Sequence, residues 1–162
     1  MTLLIHDVED IGSFLKNKPV DMIVISDNGK IKPCSCCFGC WIKTPVQCVI
    51  KDGYENMGEL LSKSSRVNII SKCFYGGFSP FIKNVIEKSI SYALPYFQII
   101  NGEVHHKARY SNTFDFVVHF YGEITEPEKE TAKRLIKAGG IDIHQKTEVY
   151  FYESPAEIKG VF

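Results

Sequence analysis

The sequence Val67-Asn-Ile-Ile-Ser71-Lys-Cys-Phe-Tyr-Gly-Gly-Phe-Ser79-Pro80-Phe-Ile-Lys83 decides the fold class of this chain. It begins with Val67-Asn-Ile-Ile-Ser71, a mostly apolar segment of strand length. Two adjacent glycines then break the chain, and Ser79-Pro80 is a favoured start of a helix. Apolar residues recur at helical spacing from Phe81 onward. The stretch therefore predicts a strand, a tight loop and a helix.

The same alternation of strands and helices extends in both directions from this stretch. Apolar segments predict four strands, near residues 2–6, 21–26, 67–71 and 114–120, and alternation predicts a fifth, an edge strand, near residues 147–152. Periodicity predicts further helices over residues 8–16, 54–62 and 125–138, and Thr125 and Glu128 form a capping-box pair. Pro95 is expected to stop the helix that follows Pro80, and residues 95–113 are expected to form a long connection.

Strands that alternate with helices predict an α/β domain with a parallel sheet. We expect one domain over residues 1–162, with five parallel strands in the order 2-1-3-4-5 and helices on both faces. This is the three-layer, doubly wound arrangement of the flavodoxin-like fold. Its ligand crevice lies at the carboxyl ends of the strands, near the point where the strand order reverses.

Composition and charge narrow the classes of function. The 162 residues include 19 Lys+Arg and 19 Asp+Glu, so the formal net charge is zero, whereas a nucleic-acid-binding domain would show a basic excess. No run approaches the roughly 18 apolar residues that a membrane span needs. Acidic residues interrupt the first apolar run before a signal-peptide core can form. We therefore expect a cytoplasmic protein that binds neither nucleic acid nor membrane.

Five of the six cysteines lie between residues 34 and 48, in a loop at about 31–53. Clustered cysteines without a signal peptide indicate a metal, cluster or thiol site rather than a disulfide framework. Three alternatives are open: an iron–sulfur cluster, a zinc ion, or free thiols that line the loop. The candidate metal ligands are Cys34, Cys37, Cys40 and Cys48, and Cys36 is an additional thiol.

Two motifs together resemble the family of NADPH-dependent FMN reductases and iron–sulfur flavoproteins. One is the cysteine-rich stretch from Cys34 to Asp52, and the other is the loop from Ser71 to Lys83. The resemblance implies a flavodoxin-like redox protein that moves hydride or electrons from NAD(P)H through FMN to an unknown acceptor. It also implies a [4Fe–4S] cluster on the four cysteines and a homodimer or higher homo-oligomer. Members of the family usually carry proline where Lys72 stands.

The resemblance also implies which residues contact the flavin. Glycines permit close backbone approach to the ring because they have no Cβ, and aromatic side chains can stack on its faces. The expected cofactor-binding residues are Phe74, Tyr75, Gly76, Gly77, Phe78, Ser79, Tyr121 and Gly122. The flavin carries the chemistry, so no catalytic side chain is nominated. The alternative is a tight strand-to-helix turn whose aromatic residues belong to the core.

The first loop departs from the pattern of this family. Its members surround the FMN phosphate with Ser, Thr, Arg and Asn side chains and helix amides, whereas Asp7, Glu9 and Asp10 follow the first strand here. Losing two or three charge-assisted hydrogen bonds, at about 1.5–3 kcal/mol each, weakens binding by about 3–9 kcal/mol. We therefore expect FMN to be weakly held or lost. The alternative function is a non-catalytic flavodoxin-fold binding or assembly subunit.

Two smaller features have no assigned role. His105, His106 and Arg109 lie in the long connection, where a solvated loop or a subunit contact is favoured over a ligand site. Adjacent histidines on an extended segment point to opposite sides, so they make a poor joint metal site. Trp41 is the only tryptophan, and we expect it to lie against a ligand or, preferably, a partner subunit.

Overall fold

The computed structural model describes residues 1–12 and 18–158. Over these residues the strands are β1 (Thr2–His6), β2 (Met22–Ile25), β3 (Arg66–Lys72), β4 (Ala93–Ile100), β5 (Glu103–Ala108), β6 (Asp115–Tyr121) and β7 (Lys146–Tyr152). The helices are α1 (Gly39–Ile42), α2 (Met57–Ser62), α3 (Pro80–Lys88) and α4 (Glu126–Ile143). Short 3-10 turns lie at Ser89–Tyr92 and Pro155–Glu157. None of the helices described is long and apolar enough to cross a membrane.

Five strands form one sheet in the order β2-β1-β3-β6-β7. Every neighbouring pair is parallel, which confirms the α/β class and the five-stranded parallel sheet. The order as labelled differs from the predicted 2-1-3-4-5, because β4 and β5 come between β3 and β6 and form a separate sheet. The strand order reverses between β1 and β3, because β2 lies on one side of β1 and all later strands of the sheet lie on the other. Such a reversal opens a crevice at the carboxyl ends of β1 and β3.

The long connection predicted over residues 95–113 contains most of β4 and all of β5, which the sequence analysis did not predict. β4 and β5 form an antiparallel hairpin in which Ile99 lies opposite Val104. The hairpin turns at Asn101 and Gly102, whose φ angles of 51° and 85° suit a two-residue turn. Pro95 lies inside β4, while α3 has already ended at Lys88. The Asn-Gly pair is the sequence signal for this hairpin.

One face of the sheet packs against α2, α3 and α4. Its core joins strand residues such as Leu3, Ile69 and Val118 to helix residues such as Val85 and Ile136. Sheet residues alternate between faces, so the neighbouring strand positions belong to the opposite face.

The opposite face carries a smaller apolar cluster around Leu4 and Ile70, to which Ile158 and the partly buried Val8 and Ile11 contribute. Helices on both faces, as in the three-layer arrangement, stay a prediction. Residues 8–12 are not helical. The remainder of the helix predicted over 8–16, with Phe14 and Leu15, lies outside the described residues.

Local hydrogen bonds set the helix boundaries. The Ser79 hydroxyl accepts from the Ile82 N–H at 3.4 Å, which confirms the predicted N-cap. The Thr125 N–H donates to the Glu128 carboxylate at 2.9 Å, as the capping box requires. α2 begins later than predicted because Tyr54 is held elsewhere, where its hydroxyl donates to the Ser26 carbonyl at 2.7 Å.

Candidate functional site

A cleft of about 680 Å³ lies where β1, β3 and β6 end, and we call it the strand-end cleft. It is lined by Asp7, Val8, Glu9, Asp10, Lys72, Phe74, Ser79, Pro80, Phe81, Tyr121, Ser154, Pro155 and Ala156. Ligands of open parallel sheets bind in this position, outside the carboxyl ends of the strands. The fold therefore brings the acidic first loop and part of the loop after β3 to the same cleft.

Three of the eight expected flavin-contacting residues line the strand-end cleft, namely Phe74, Ser79 and Tyr121. Tyr75 does not, because it lies at the tip of a turn where it is 90% exposed. Lys72 places its Nζ atom 5.8 Å from the centre of the Phe74 ring. One cation therefore faces three carboxylates across the cleft.

Phe78 and Gly122 point away from the strand-end cleft. Phe78 packs on Phe120 with 5.3 Å between ring centroids, and it lines an apolar cavity of about 250 Å³ against α3 and α4. The Gly122 N–H donates to the Tyr152 carbonyl at 3.1 Å, and Gly122 borders a separate polar cleft beside Glu123. The contacts of Phe78 thus agree with the alternative in which the aromatic residues of the loop after β3 belong to the core.

The two glycines of the loop after β3 have different roles. Phe74 and Gly77 exchange backbone hydrogen bonds of 3.0 and 2.8 Å, which closes a tight turn. Gly76 has φ 78°, and a Cβ there would lie 2.7 Å from both the Glu128 carbonyl oxygen and the Thr131 Cβ. Gly76 is therefore required for packing of the turn on α4. Gly77 has no such conflict, since its nearest neighbour would be the Phe74 oxygen at 3.4 Å.

We expect Gly76→Ala to lower the free energy of unfolding by about 2 kcal/mol, through left-handed backbone strain and overpacking. The matched variant Gly77→Ala should change it by less than about 0.5 kcal/mol. Urea denaturation monitored by circular dichroism measures both. Equal losses in the two variants would contradict the packing role of Gly76.

Asp7 binds hydrogen-bond donors at the mouth of the strand-end cleft. Its carboxylate accepts from the Lys72 N–H at 3.0 Å and from the Tyr121 hydroxyl at 3.0 Å. Burial, followed by the charge of Asp7, raises the pKa of Tyr121. A proline at position 72 would lack the N–H that Asp7 uses. Lys72, which departs from the family pattern, and Asp7, an acidic residue of the first loop, are thus the two partners of one hydrogen bond.

The donors of the first loop are also engaged by the chain itself. The Gly12 N–H donates to the Asp10 carboxylate at 3.0 Å, and Glu9 and Asp10 are exposed beside it. A phosphate here would meet carboxylates in place of donors. The described residues of the first loop therefore do not fit the FMN phosphate, whereas Phe74 and Tyr121 present aromatic surface to a ring.

A second cavity, of about 300 Å³, is lined by all five clustered cysteines, and we call it the cysteine cavity. Its lining consists of Cys34, Ser35, Cys36, Cys37, Phe38, Cys40, Trp41, Cys48, Val49, Ile50, Glu87 and Ile90. Within the described ranges, no three His, Cys, Asp or Glu side chains are grouped closely enough to hold a metal ion. The four predicted ligands nevertheless share one cavity, as ligands of a multi-iron cluster must.

The cysteine loop has an unusual backbone. Cys36, Phe38 and Val46 have φ angles of 50°, 56° and 78°. Positive φ is disfavoured for any residue with a Cβ and most of all for a β-branched one. Val46 is held there by its own N–H, which donates to the Cys40 carbonyl at 3.1 Å, and by the Ser91 hydroxyl, which donates to its carbonyl at 2.9 Å. Such strain persists where the surrounding contacts impose it.

The thiols of this loop differ in their surroundings. Cys37 is exposed, and hydrogen bonds from the Gly39 N–H and then the Ser35 hydroxyl lower the pKa of its thiol. Cys40 is half-buried, and burial, reinforced by neighbouring Cys48, raises the pKa of the Cys40 thiol. Cys37 is therefore an accessible thiol, and Cys40, three positions later, is a more sheltered one.

A buried ion pair fixes the cysteine loop to α3. The Lys88 ammonium lies 3.0 Å from the Asp52 carboxylate, with both side chains almost fully buried, and 3.8 Å from the Cys48 Sγ. Asp52 also accepts from the Lys32 N–H at 2.8 Å. Burial by itself favours the protonated acid, but the Lys32 N–H and the Lys88 ammonium outweigh it and lower the pKa of Asp52. Sequence periodicity did not reveal this pair, although Lys88 continues the buried face of α3.

Trp41 makes its contacts within its own chain. Its indole N–H donates to the Ala93 carbonyl at 3.0 Å, and its ring lies 5.6 Å from Phe38 and 5.1 Å from His106. These contacts join the cysteine loop to the β4–β5 hairpin. Only the part of the Trp41 ring that these contacts leave exposed is open to the expected ligand or partner subunit.

The other residues without an assigned role also have intramolecular partners. His105 Nδ1 lies 2.7 Å from the Asp142 carboxylate, while His106 Nδ1 lies 2.7 Å from the Leu94 carbonyl. The adjacent histidines thus contact different elements, α4 and β4. The Arg109 Nε–H donates to the Ser91 carbonyl at 2.9 Å.

Comparisons with known proteins add no relative to this picture. No protein-family model, curated protein or solved structure matches the chain. The family named above therefore stays a resemblance, carried by the cysteine loop and by the loop after β3.

Proposed function

We propose that this chain is a flavodoxin-like redox domain that binds a flavin ring loosely in the strand-end cleft. The observation that supports it most is the position of Phe74 and Tyr121 on the walls of a cleft at the reversal of strand order. A bound flavin would supply hydride and one-electron chemistry. NAD(P)H as donor, an unidentified acceptor and a cytoplasmic location belong to the same proposal through the resemblance.

The proposal concerns the flavin ring and excludes tight binding of the phosphate. Aromatic stacking contributes about 0.5–1.5 kcal/mol beyond area burial. Several charge-assisted hydrogen bonds to a phosphate would contribute more, but Asp7 and Asp10 occupy the donors. Affinity for FMN should therefore depend on the ring alone and be reduced by the carboxylates.

Fluorescence titration with FMN and riboflavin tests this proposal. We expect FMN to bind no more tightly than about 1 µM, and riboflavin to bind equally well or better. FMN binding at about 1 nM without riboflavin binding would show a phosphate site and contradict the proposal. Failure of both flavins to bind at about 1 mM would contradict the flavin site itself.

Neutralising the first loop should favour FMN. In the double variant Glu9→Gln, Asp10→Asn, the amide oxygen can still accept from Gly12, but two negative charges are removed. We expect a gain of up to about tenfold in FMN affinity and no change for riboflavin, from Coulomb energies at high dielectric. Asp115→Asn, an exposed carboxylate at the amino end of β6, is the matched control and should leave both affinities unchanged.

The cysteine cavity is the second redox element of the proposal. A [4Fe–4S] cluster on Cys34, Cys37, Cys40 and Cys48 is the form that the resemblance implies, and free thiols are the alternative. Protein purified without oxygen separates them, because a cubane requires about four irons per chain.

A binding or assembly subunit is the second candidate function. It is favoured by Asp7, whose carboxylate already satisfies the Lys72 N–H and the Tyr121 hydroxyl in the strand-end cleft. A domain of this kind would keep the fold and lose the cofactor. The riboflavin titration distinguishes the two functions, since only the redox domain binds the ring.

A homo-oligomer is part of the proposal and is supported by exposed apolar side chains on the β4–β5 hairpin. Ile99 is 75% exposed and Val104 is 68% exposed, and they lie opposite each other in the hairpin. A two-stranded sheet is marginally stable without further packing, and a second copy would provide it.

We expect Ile99→Asp, Val104→Asp to convert the oligomer to a monomer in sedimentation equilibrium, because the charges would be buried at the contact. Val20→Asp, which charges a fully exposed apolar side chain before β2, should not change the mass. A wild-type monomer at micromolar concentration would contradict this part of the proposal.

A further inference from the structure

We propose that Cys37 and Cys40 form a dithiol pair that exchanges with low-molecular-weight disulfides, whether or not the strand-end cleft binds a flavin. Phe38 and Gly39 separate the two residues, which gives the C-x-x-C spacing of thiol–disulfide exchange sites. Both thiols line the cysteine cavity. The two thiols are therefore close in sequence and border the same cavity.

The two thiols differ in accessibility in the way that exchange requires. Cys37 is exposed and Cys40 is half-buried. Exchange begins when an accessible thiolate attacks an external disulfide, and a neighbouring thiol then resolves the mixed disulfide. Cys37 is thus the attacking residue and Cys40 the resolving residue.

The spacer between the thiols is compact. Phe38 has φ 56°, and a Cβ on Gly39 would lie 2.4 Å from Val49 Cγ1 and 3.4 Å from the Cys37 Sγ. Only glycine allows the spacer to pack on Val49.

Two of the other loop thiols, Cys48 and Cys36, are less suited to this exchange, whereas Cys34 has the same C-x-x-C spacing to Cys37 and is the competing partner that the peptide map must exclude. Cys48 is buried and contacts the Lys88 ammonium, so an external disulfide cannot reach it. Cys36 is exposed, but it is adjacent to Cys37, and a bond between neighbouring residues distorts the peptide that joins them. Cys36 is accordingly the matched control for Cys37.

The chemistry balances with the external disulfide as the oxidant. The Cys37 thiolate attacks one sulfur of the disulfide, which forms a mixed disulfide and releases the first external thiol. Cys40 then loses its proton and attacks the Cys37 sulfur, which forms the Cys37–Cys40 bond and releases the second thiol. Two protein thiols are oxidised and one external disulfide is reduced, with both protons passing to the released thiols.

The test uses the full chain, purified without oxygen, and one equivalent of oxidised glutathione. The wild-type protein should release two glutathione molecules per chain, and a peptide map should show a Cys37–Cys40 disulfide. Cys40→Ser should stop at a mixed disulfide on Cys37 and release one glutathione. Cys37→Ser should slow the first release at least tenfold, whereas Cys36→Ser should behave as the wild type.

A wild-type map in which Cys37 is joined to Cys34, or Cys40 to Cys48 or Cys34, would overturn the pairing. Release of both glutathione molecules by Cys40→Ser would overturn it as well. Protein that contains about four irons per chain and does not react with the disulfide would assign the thiols to a cluster instead. The wild-type map needs no variant, so it decides the question even if a substitution prevents folding. A failed flavin titration leaves these outcomes unchanged.

Discussion

Lys88→Met is expected to lower the free energy of unfolding by about 3–5 kcal/mol, because it leaves a buried carboxylate without its partner. Lys88 and Asp52 are 0% and 2% exposed at their side chains, so water cannot replace the lost ammonium. Asp52 would keep the Lys32 N–H, which compensates only in part. Urea denaturation at neutral pH measures the loss.

Lys83→Met is the control, since Lys83 lies on the same helix and pairs with the exposed Glu87. Removing an exposed pair should cost less than about 1 kcal/mol. Lys88 lowers the pKa of Asp52, so the pair stabilises the fold above the pKa of the unfolded carboxyl, and this stabilisation is lost as the pH falls. The difference between wild type and Lys88→Met should therefore shrink in acid. Equal losses at Lys88 and Lys83 would refute the role of the buried pair.

The second large effect is expected at His119, on the face of the sheet opposite α2, α3 and α4. Burial, followed by the charge of Arg66, lowers the pKa of His119 from 6.5 to about 4, with Glu148 acting in the opposite direction. The ring is 4% exposed and lies 5.5 Å from the Tyr150 ring. Folding therefore holds this imidazole in its neutral form.

The direction of the pH effect on stability follows from proton binding in the folded and unfolded states. As the pH falls from 6.5 to about 4, the unfolded chain takes up a proton at His119 and the folded chain does not. Relative to His119→Gln, the wild type should lose about 3 kcal/mol across this range, at about 1.4 kcal/mol per pKa unit. At pH 8 the ring is neutral in both states, which provides the reference. A stability difference that does not vary with pH would contradict the shift.

Four of the five sheet strands could be predicted because they are mostly apolar segments, as covered parallel strands are, and β7 could be predicted because its side chains alternate as in an edge strand. The hairpin was missed because Pro95 and the polar residues around His105 and His106 suggested a loop, although Asn101-Gly102 is a hairpin signal. Such a hairpin is stabilised by contacts that are remote in sequence. The bond between the Trp41 indole and the Ala93 carbonyl joins residues that are 52 positions apart.

The candidate site was predictable in location but only partly in composition. Strand ends and the order reversal place the cleft, and Phe74, Ser79 and Tyr121 line it. The role of Gly76 depends on α4, whose contacting residues Glu128 and Thr131 lie more than fifty positions later. Asp7 was expected to repel a phosphate, but its hydrogen bonds to Lys72 and Tyr121 could not be derived from spacing.

These hydrogen bonds make Asp7 an internal competitor for the strand-end cleft. A carboxylate tethered to the same chain as its donors acts at an effective concentration that is at least on the order of millimolar. A free anion must reach that concentration, or bind far more strongly, before it displaces Asp7 from the Lys72 N–H and the Tyr121 hydroxyl. Uncharged rings need not displace it. We therefore expect the strand-end cleft to select ligands by their charge.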